Sequence, residues 1–277
     1  MNSFSFRACV FAVAVGTGLP ATAGDVLDRI MDRGYMLLMG EPAWPPFSFK
    51  DENGNYAGFD VEVADEVTKR LGVEPRRIER ALSWEQETGG NWNGVIDVSI
   101  GSMTPTAKRG ENLIFPAVYS YQPASVAVHR DNTTINVPAE ASGRRIAVLR
   151  TSIYDVYLQR VPMDIKNAPP VNYAIDDPVV VYYEVEGEPL AALKKGDGVE
   201  VDATINALVA LMDEVQKGEP IRILGQPIFY TPGAIAIEKG DPELADKLAS
   251  IVADMRSDGS LTRISKKWFG LDLTAVP

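Results

Sequence analysis

The chain of 277 residues contains one cysteine and one histidine, and these two scarcities exclude a good deal of chemistry. A lone thiol, Cys9, can form neither an internal disulfide nor a thiolate metal site. With His129 as the single imidazole, a zinc centre and a Ser-His or Cys-His nucleophile pair have almost no material. No metal and no cofactor is expected. Positive charge is also short: 27 Lys and Arg stand against 38 Asp and Glu, a formal net charge of −11. Nucleic acid requires a basic face, so a nucleic-acid partner is not expected. Long hydrophobic runs are missing as well. The apolar stretch Ala8 to Leu19 has roughly half the length of a permanent membrane helix, and no later segment approaches that length.

What that stretch does carry is the layout of a cleavable export signal. Arg7 precedes it, and Ala21-Thr22-Ala23 follows as a small-x-small cleavage site. Residues 1–23 are therefore read as a signal peptide and the mature protein as soluble and exported. Cys9 leaves with the signal, and Phe6-Arg7-Ala8 is a poor match to a lipoprotein signal.

In the mature chain, Asp25 to Arg33 has helical spacing of Val26, Leu27, Ile30 and Met31 and stops at Gly34. Tyr35 to Met39 is a continuous apolar run of the kind found in a strand buried on both faces. Three prolines make Glu41 to Phe47 a stiff loop presenting Trp44. Asn53-Gly54 between extended segments predicts a hairpin. Asp60 is read as the cap of a helix with the stripe Phe59, Val63, Val67 and Leu71, ending at Gly72. Pro75 to Arg80 and Asp97 to Ile100 read as strands on either side of a polar stretch containing Trp84 and Trp92. Ala124 to Val128 is a strand, and the polar residues His129 to Asn132 after it suggest a crossover between lobes, with His129 at the surface.

A second α/β unit follows. Arg145 to Leu149 is a strand, Thr151-Ser152 a helix cap and Ile153 to Arg160 the helix, whereas Pro162 to Pro170 is irregular. Val179 to Tyr183 and Val201 to Ile205 read as strands, Pro189 to Lys195 and Ala207 to Val215 as helices. Ile221 to Leu224 and Gly233 to Ile237 are two further strands, and Asp241-Pro242-Glu243 starts a helix with Leu244, Leu248, Ile251, Val252 and Met255 on one face. The alternation predicts an α/β protein with two mostly parallel sheets and a ligand cleft between them.

Asp97 to Arg109 is the most informative stretch, a short strand opening into a hydroxyl-rich turn with a guanidinium at its end. Small residues let backbone N–H groups converge, Ser102 and Thr104 add hydroxyls, and Arg109 offers a planar fork matched to a carboxylate. The same residues also suit an ordinary turn with a surface arginine.

Four segments in order resemble the family 3 solute-binding proteins, the periplasmic receptors of ABC importers. They are Pro46-Phe47-Ser48-Phe49 with Asp51 to Gly54 and Gly58-Phe59-Asp60-Val61; Gly101 to Thr106 with Arg109; Val201-Asp202-Ala203; and Asp258-Gly259-Ser260 with Lys267-Trp268-Phe269-Gly270. The resemblance implies a two-lobe periplasmic binding protein of type II. Residues 24–121 would form the first part of lobe one, 122–226 lobe two, and 227–277 the remainder of lobe one. It implies a monomer that captures a small carboxylate-bearing solute, an amino acid or related compound, and delivers it to an inner-membrane permease. By the same resemblance Arg109 grips the carboxylate with help from Ser102 and Thr104, Thr151 and Ser152 contribute from lobe two, and Trp44 and Trp84 sandwich the ligand.

Departures from the family pattern lie at the other end of the ligand. The slot of the aspartate that holds a ligand ammonium is Ala207 here, so Asn206 or Glu41 would have to serve. Glu85 to Asn93 is polar where relatives carry an apolar helix, and Ile175 to Gly187 is long and acidic, with Asp176, Asp177, Glu184 and Glu186. An enzyme on the same fold, resembling periplasmic cyclohexadienyl dehydratases, is the alternative. No local catalytic constellation supports it, so the chain is read as a binding protein.

Overall fold

The computed structural model describes residues 25–163, 171 and 173–275. The expected signal peptide, Cys9 and most of the irregular stretch Pro162 to Pro170 lie outside these residues. Among the described residues no helix is long and apolar enough to cross a membrane.

The chain opens with α1 (Asp25–Arg33) and β1 (Tyr35–Gly40). Burial along β1 alternates instead of covering both faces as the apolar run suggested. The outward Tyr35 ring is covered by the Arg76 guanidinium, 3.6 Å from its centroid. Short strands β2 (Ala43–Trp44), β3 (Ser48–Lys50) and β4 (Tyr56–Ala57) form a small antiparallel sheet around the expected Asn53-Gly54 turn. Next come α2 (Phe59–Leu71), β5 (Glu74–Glu79), α3 (Trp84–Gly89) and β6 (Ser99–Met103). Gly58, not Asp60, occupies the cap of α2, and the Asp60 side chain makes no capping bond. A Cβ at Gly58 would come within 2.2 Å of the Phe47 carbonyl at φ +130, so only glycine fits there.

After β7 (Leu113–Ile114), β8 (Val118–His129) runs unbroken for 12 residues. The second unit comprises β9 (Arg145–Leu149), α4 (Ile153–Leu158), β10 (Val179–Tyr183), α5 (Glu188–Lys194), β11 (Ala203–Ala207) and α6 (Leu208–Gln216). Then β12 (Ile221–Glu238) extends for 18 residues, joining the two strands expected at Ile221 to Leu224 and Gly233 to Ile237. The chain closes with α7 (Pro242–Ser257) and α8 (Ser260–Phe269).

The sheets are mixed. β1 pairs parallel with β5, and β9 lies parallel to both β10 and β11. By contrast β8, β11, β12 and β6 pair antiparallel. β8 and β12 do the joining. Tyr119 belongs to a core with α1, α2, α7 and α8, whereas Ala124, Val126 and Val128 belong to a second core with β9, α4 and β11. β12 returns between Phe229, in the second core, and Ile235, in the first. The passage between lobes thus runs inside two paired strands. The polar turn at His129 is the far end of β8, and His129 is buried there at 7% exposure. Asp241 ties the end of the chain to its start: Oδ1 accepts from Leu244 N (2.9 Å), and Oδ2 from Leu27 N (2.8 Å) and Val26 N (3.1 Å).

Candidate functional site

A cavity of about 380 Å³ lies where the two cores face each other. Its first wall comes from the β1–β2 connection, α3 and β6; its second comes from the start of α4 and the turn between β10 and α5. Of the residues singled out from sequence, Glu41, Trp44, Trp84, Ser102, Thr104, Arg109 and Ser152 border it, whereas Thr151 and Asn206 do not.

Arg109 is 6% exposed. Its Nη1 donates to the Thr104 carbonyl (2.7 Å) and its Nη2 to the Thr151 carbonyl (2.9 Å), so one guanidinium joins the two walls. Its carbon sits 5.5 Å from the Trp84 ring centroid. Burial pulls its pKa down to about 10, opposed by the nearby Glu87 charge, and the group remains a cation at neutral pH. Thr104 and Thr151 therefore contribute backbone oxygen to the arginine. The Thr151 hydroxyl is buried with no partner among the described residues.

Ser102 is turned into the wall. At φ +51, its N–H donates to Tyr119 Oη (2.6 Å), its Oγ donates to Asp60 Oδ1 (2.9 Å), and it accepts from Gln122 Nε2 (2.9 Å). The converging N–H groups expected of the turn are, at this residue, engaged by a protein network. Ser152 caps α4 by accepting from Asp155 N (3.2 Å). Trp44 stacks on Phe47 at 4.2 Å, and the indole N–H groups of Trp44 and Trp84 are both buried without a partner among the described residues.

Sequence reasoning understated the acids. Asp60 (1% exposed) and Glu87 (5%) both border the cavity, and burial pushes each pKa up to about 7. Glu186, half-buried on the second wall, is raised to about 7 by burial and by the Glu41 charge. Glu41 is itself raised by burial, although it accepts from Ala43 N (2.9 Å) and from Arg80 (3.2 Å). Asp60 stands two residues past the Gly58 cap, where its position in sequence resembles that of a capping aspartate. The polar spacing of Glu85 to Asn93 hid an α3 whose first-turn carboxylate points inward.

Asn206 is spent locally, its Oδ1 accepting from Ala207 N (2.7 Å). Ala207 itself is 1% exposed, packed into the first core. Neither can present a carboxylate to a ligand.

Comparison with known proteins agrees with this architecture. Residues 37–271 match the bacterial extracellular solute-binding proteins, family 3. The chain is 27% identical to the L-cystine-binding protein TcyJ of Escherichia coli (strain K12) over 270 residues, covering 96% of this chain and 95% of the relative. It is 26% identical over 276 residues to a probable amino-acid ABC transporter-binding protein of Haemophilus influenzae, covering 99% and 100%. Among solved structures, an ancestral arginine-binding protein bound to arginine superposes with a TM-score of 0.72 at 29% identity, covering 86% of this chain and 99% of that one. With hydrophobic packing at both ends of two joining strands, a cavity between, and a match that spans most of its length, the chain belongs to the bacterial extracellular solute-binding proteins, family 3.

Proposed function

We propose that the protein is a periplasmic receptor that captures a small, carboxylate-bearing amino-acid-type solute and delivers it to an ABC permease. Arg109 carries this reading. It is a buried cation with five N–H donors, two of which bond to carbonyls on opposite walls, so the rest can grip a carboxylate. The names of the relatives, which bind cystine or arginine or serve amino-acid transporters, support an amino-acid ligand. Charge refines it. The cavity is bordered by Glu41, Asp60, Glu87, Glu184 and Glu186; Glu41 and Glu184 pair with Arg80 and Arg150, while Asp60, Glu87 and Glu186, each raised to about 7, can ionise as a cation enters, which favours a solute with net positive charge, such as L-arginine or L-ornithine. Glu41 and the Trp44 and Trp84 faces suit its cationic chain.

The lobes are taken as 24–121 with 227–277, and 122–226, with Phe229 of the returning strand packing in the second core and Ala207 in the first; the solute binds between them and closure buries it. Residues 1–23 are taken as the export signal, so N-terminal sequencing of the protein from the periplasm should begin at Gly24.

A thermal-shift screen of the mature protein against amino acids, their decarboxylated and deaminated analogues and dicarboxylates tests the assignment, because a ligand that binds only the folded state raises its melting point. Basic amino acids should give the largest shifts. Removing one partner of a buried charge pair costs about 3–5 kcal/mol, so Arg109→Ala should weaken calorimetric binding at least ~100-fold. Unchanged affinity in that variant would sink the carboxylate assignment. Incubation with prephenate or arogenate should yield no product; turnover would favour the dehydratase alternative.

A further inference from the structure

The first wall of the cavity holds two carboxyl groups that no ion pair among the described residues includes. Asp60 Oδ1 accepts from Tyr119 Oη (2.8 Å) and Ser102 Oγ (2.9 Å), but its Oδ2 is buried with no partner. Glu87 Oε1 accepts from Ser99 Oγ (2.7 Å) and lies 4.0 Å from where a Cβ on Gly101 would stand. The two acids feel each other: the Glu87 charge adds to the burial that raises the Asp60 pKa. Trp84 and Glu87 are three residues apart on α3, hence on one helix face, and both border the cavity. A buried oxygen without a donor, a second acid beside it and an aromatic ring on the same face form a surface complementary to an ammonium group.

We propose that Asp60 and Glu87, beside the Trp84 ring, form the subsite for the amino group of the bound solute. This rests on the reading of the cavity as an amino-acid receptor site. Ala207 is a buried methyl in the first core and does not border the cavity, so that position offers no acid to a ligand, and the wall of α2 and α3 supplies one instead. Glu87 discriminates the amine, while Asp60 is held in place by Tyr119 and Ser102. On binding, the two acids give up protons to solvent as the ammonium arrives, which their raised pKa values allow.

The test uses the mature protein and matched probes: the amino acid of the thermal-shift panel with the largest shift and its α-deaminated analogue, L-arginine and 5-guanidinopentanoate in the first instance. The wild-type protein should prefer the amine-bearing probe by about 30-fold or more. Glu87→Gln, which keeps the shape and the bond from Ser99, should bring that ratio below about 5-fold by weakening the amino acid alone. Calorimetry in two buffers of different ionisation enthalpy should show proton release in the wild type and less in Glu87→Gln. Asp60→Asn should lower the ratio in the same direction. A ratio unmoved by both variants overturns the subsite and leaves the receptor reading standing. Silence of the wild-type protein toward every amino acid in the panel overturns both.

Discussion

A carboxylic acid carried into an apolar wall resists ionisation, and Asp60 and Glu87 are each pushed up to about 7 by burial, with the Arg109 charge pulling Glu87 the other way. In the unfolded chain the same groups ionise near pH 4. Between these values the folded state binds more protons, so their contribution to stability is full below about pH 4 and is lost as pH rises through about 7. Replacing Glu87 by Gln removes one such group. Without solute, urea unfolding of wild type and Glu87→Gln should differ least below about pH 4, and the variant should gain roughly 3 kcal/mol relative to wild type by pH 8. A difference that stays flat with pH would show that Glu87 is ionised in the folded protein. Gly187 makes a second residue-scale point. It has φ +87, and a Cβ there would stand 2.9 Å from the Ala43 carbonyl of the facing wall. Gly187→Ala should hold the walls apart and weaken solute binding about tenfold or more, with the melting temperature of the solute-free protein moving much less than the affinity.

Among the elements, α3 has six residues and depends on its ends. Ser83 Oγ accepts from Gln86 N (3.2 Å) while Gln86 Oε1 accepts from Ser83 N (2.9 Å), a reciprocal box that satisfies two otherwise unpaired donors. The helix is too short to persist on propensity, yet it positions both Trp84 and Glu87. Ser83→Ala should cost about 1 kcal/mol of stability and should weaken solute binding by more than that global loss accounts for, since the helix frays at the binding wall. β8 and β12 carry the other element-scale consequence. Their pairing shifts register between Leu224 and Phe229, where Gly225 adopts φ +53. Such a bulge bends a ladder without breaking it, so the two strands can act as the flexing joint between cores.

For the whole molecule, the Arg109–Thr151 bond and the close approach of Gly187 to Ala43 both run between the two walls. Small-angle scattering should record a smaller radius of gyration when a binding solute is added, and the change should shrink in Arg109→Ala. Much of this architecture is legible in the residues themselves. Gly34 and Gly72 end helices, Asn53-Gly54 turns a hairpin, Asp241 caps α7, and the buried stripe of α7 is the one its spacing announces; these are local signals, set by backbone sterics and by side chains within a few residues. Arg109 was legible as a guanidinium able to meet an anion. The tertiary structure alone decided which polar groups lose water. Asp60 follows a helix start and looks like a cap, but Tyr119 and Ser102 reach it from 59 and 42 residues away. Glu87 sits in a polar run and looks solvated, but Ser99 and the β6 wall enclose it. The sequence by itself determined most of the elements, the family and a candidate cationic anchor, because periodicity and motif are properties of neighbouring residues. Burial is a property of what folds over them, and it alone turned two ordinary carboxylates into the feature that answers the arginine.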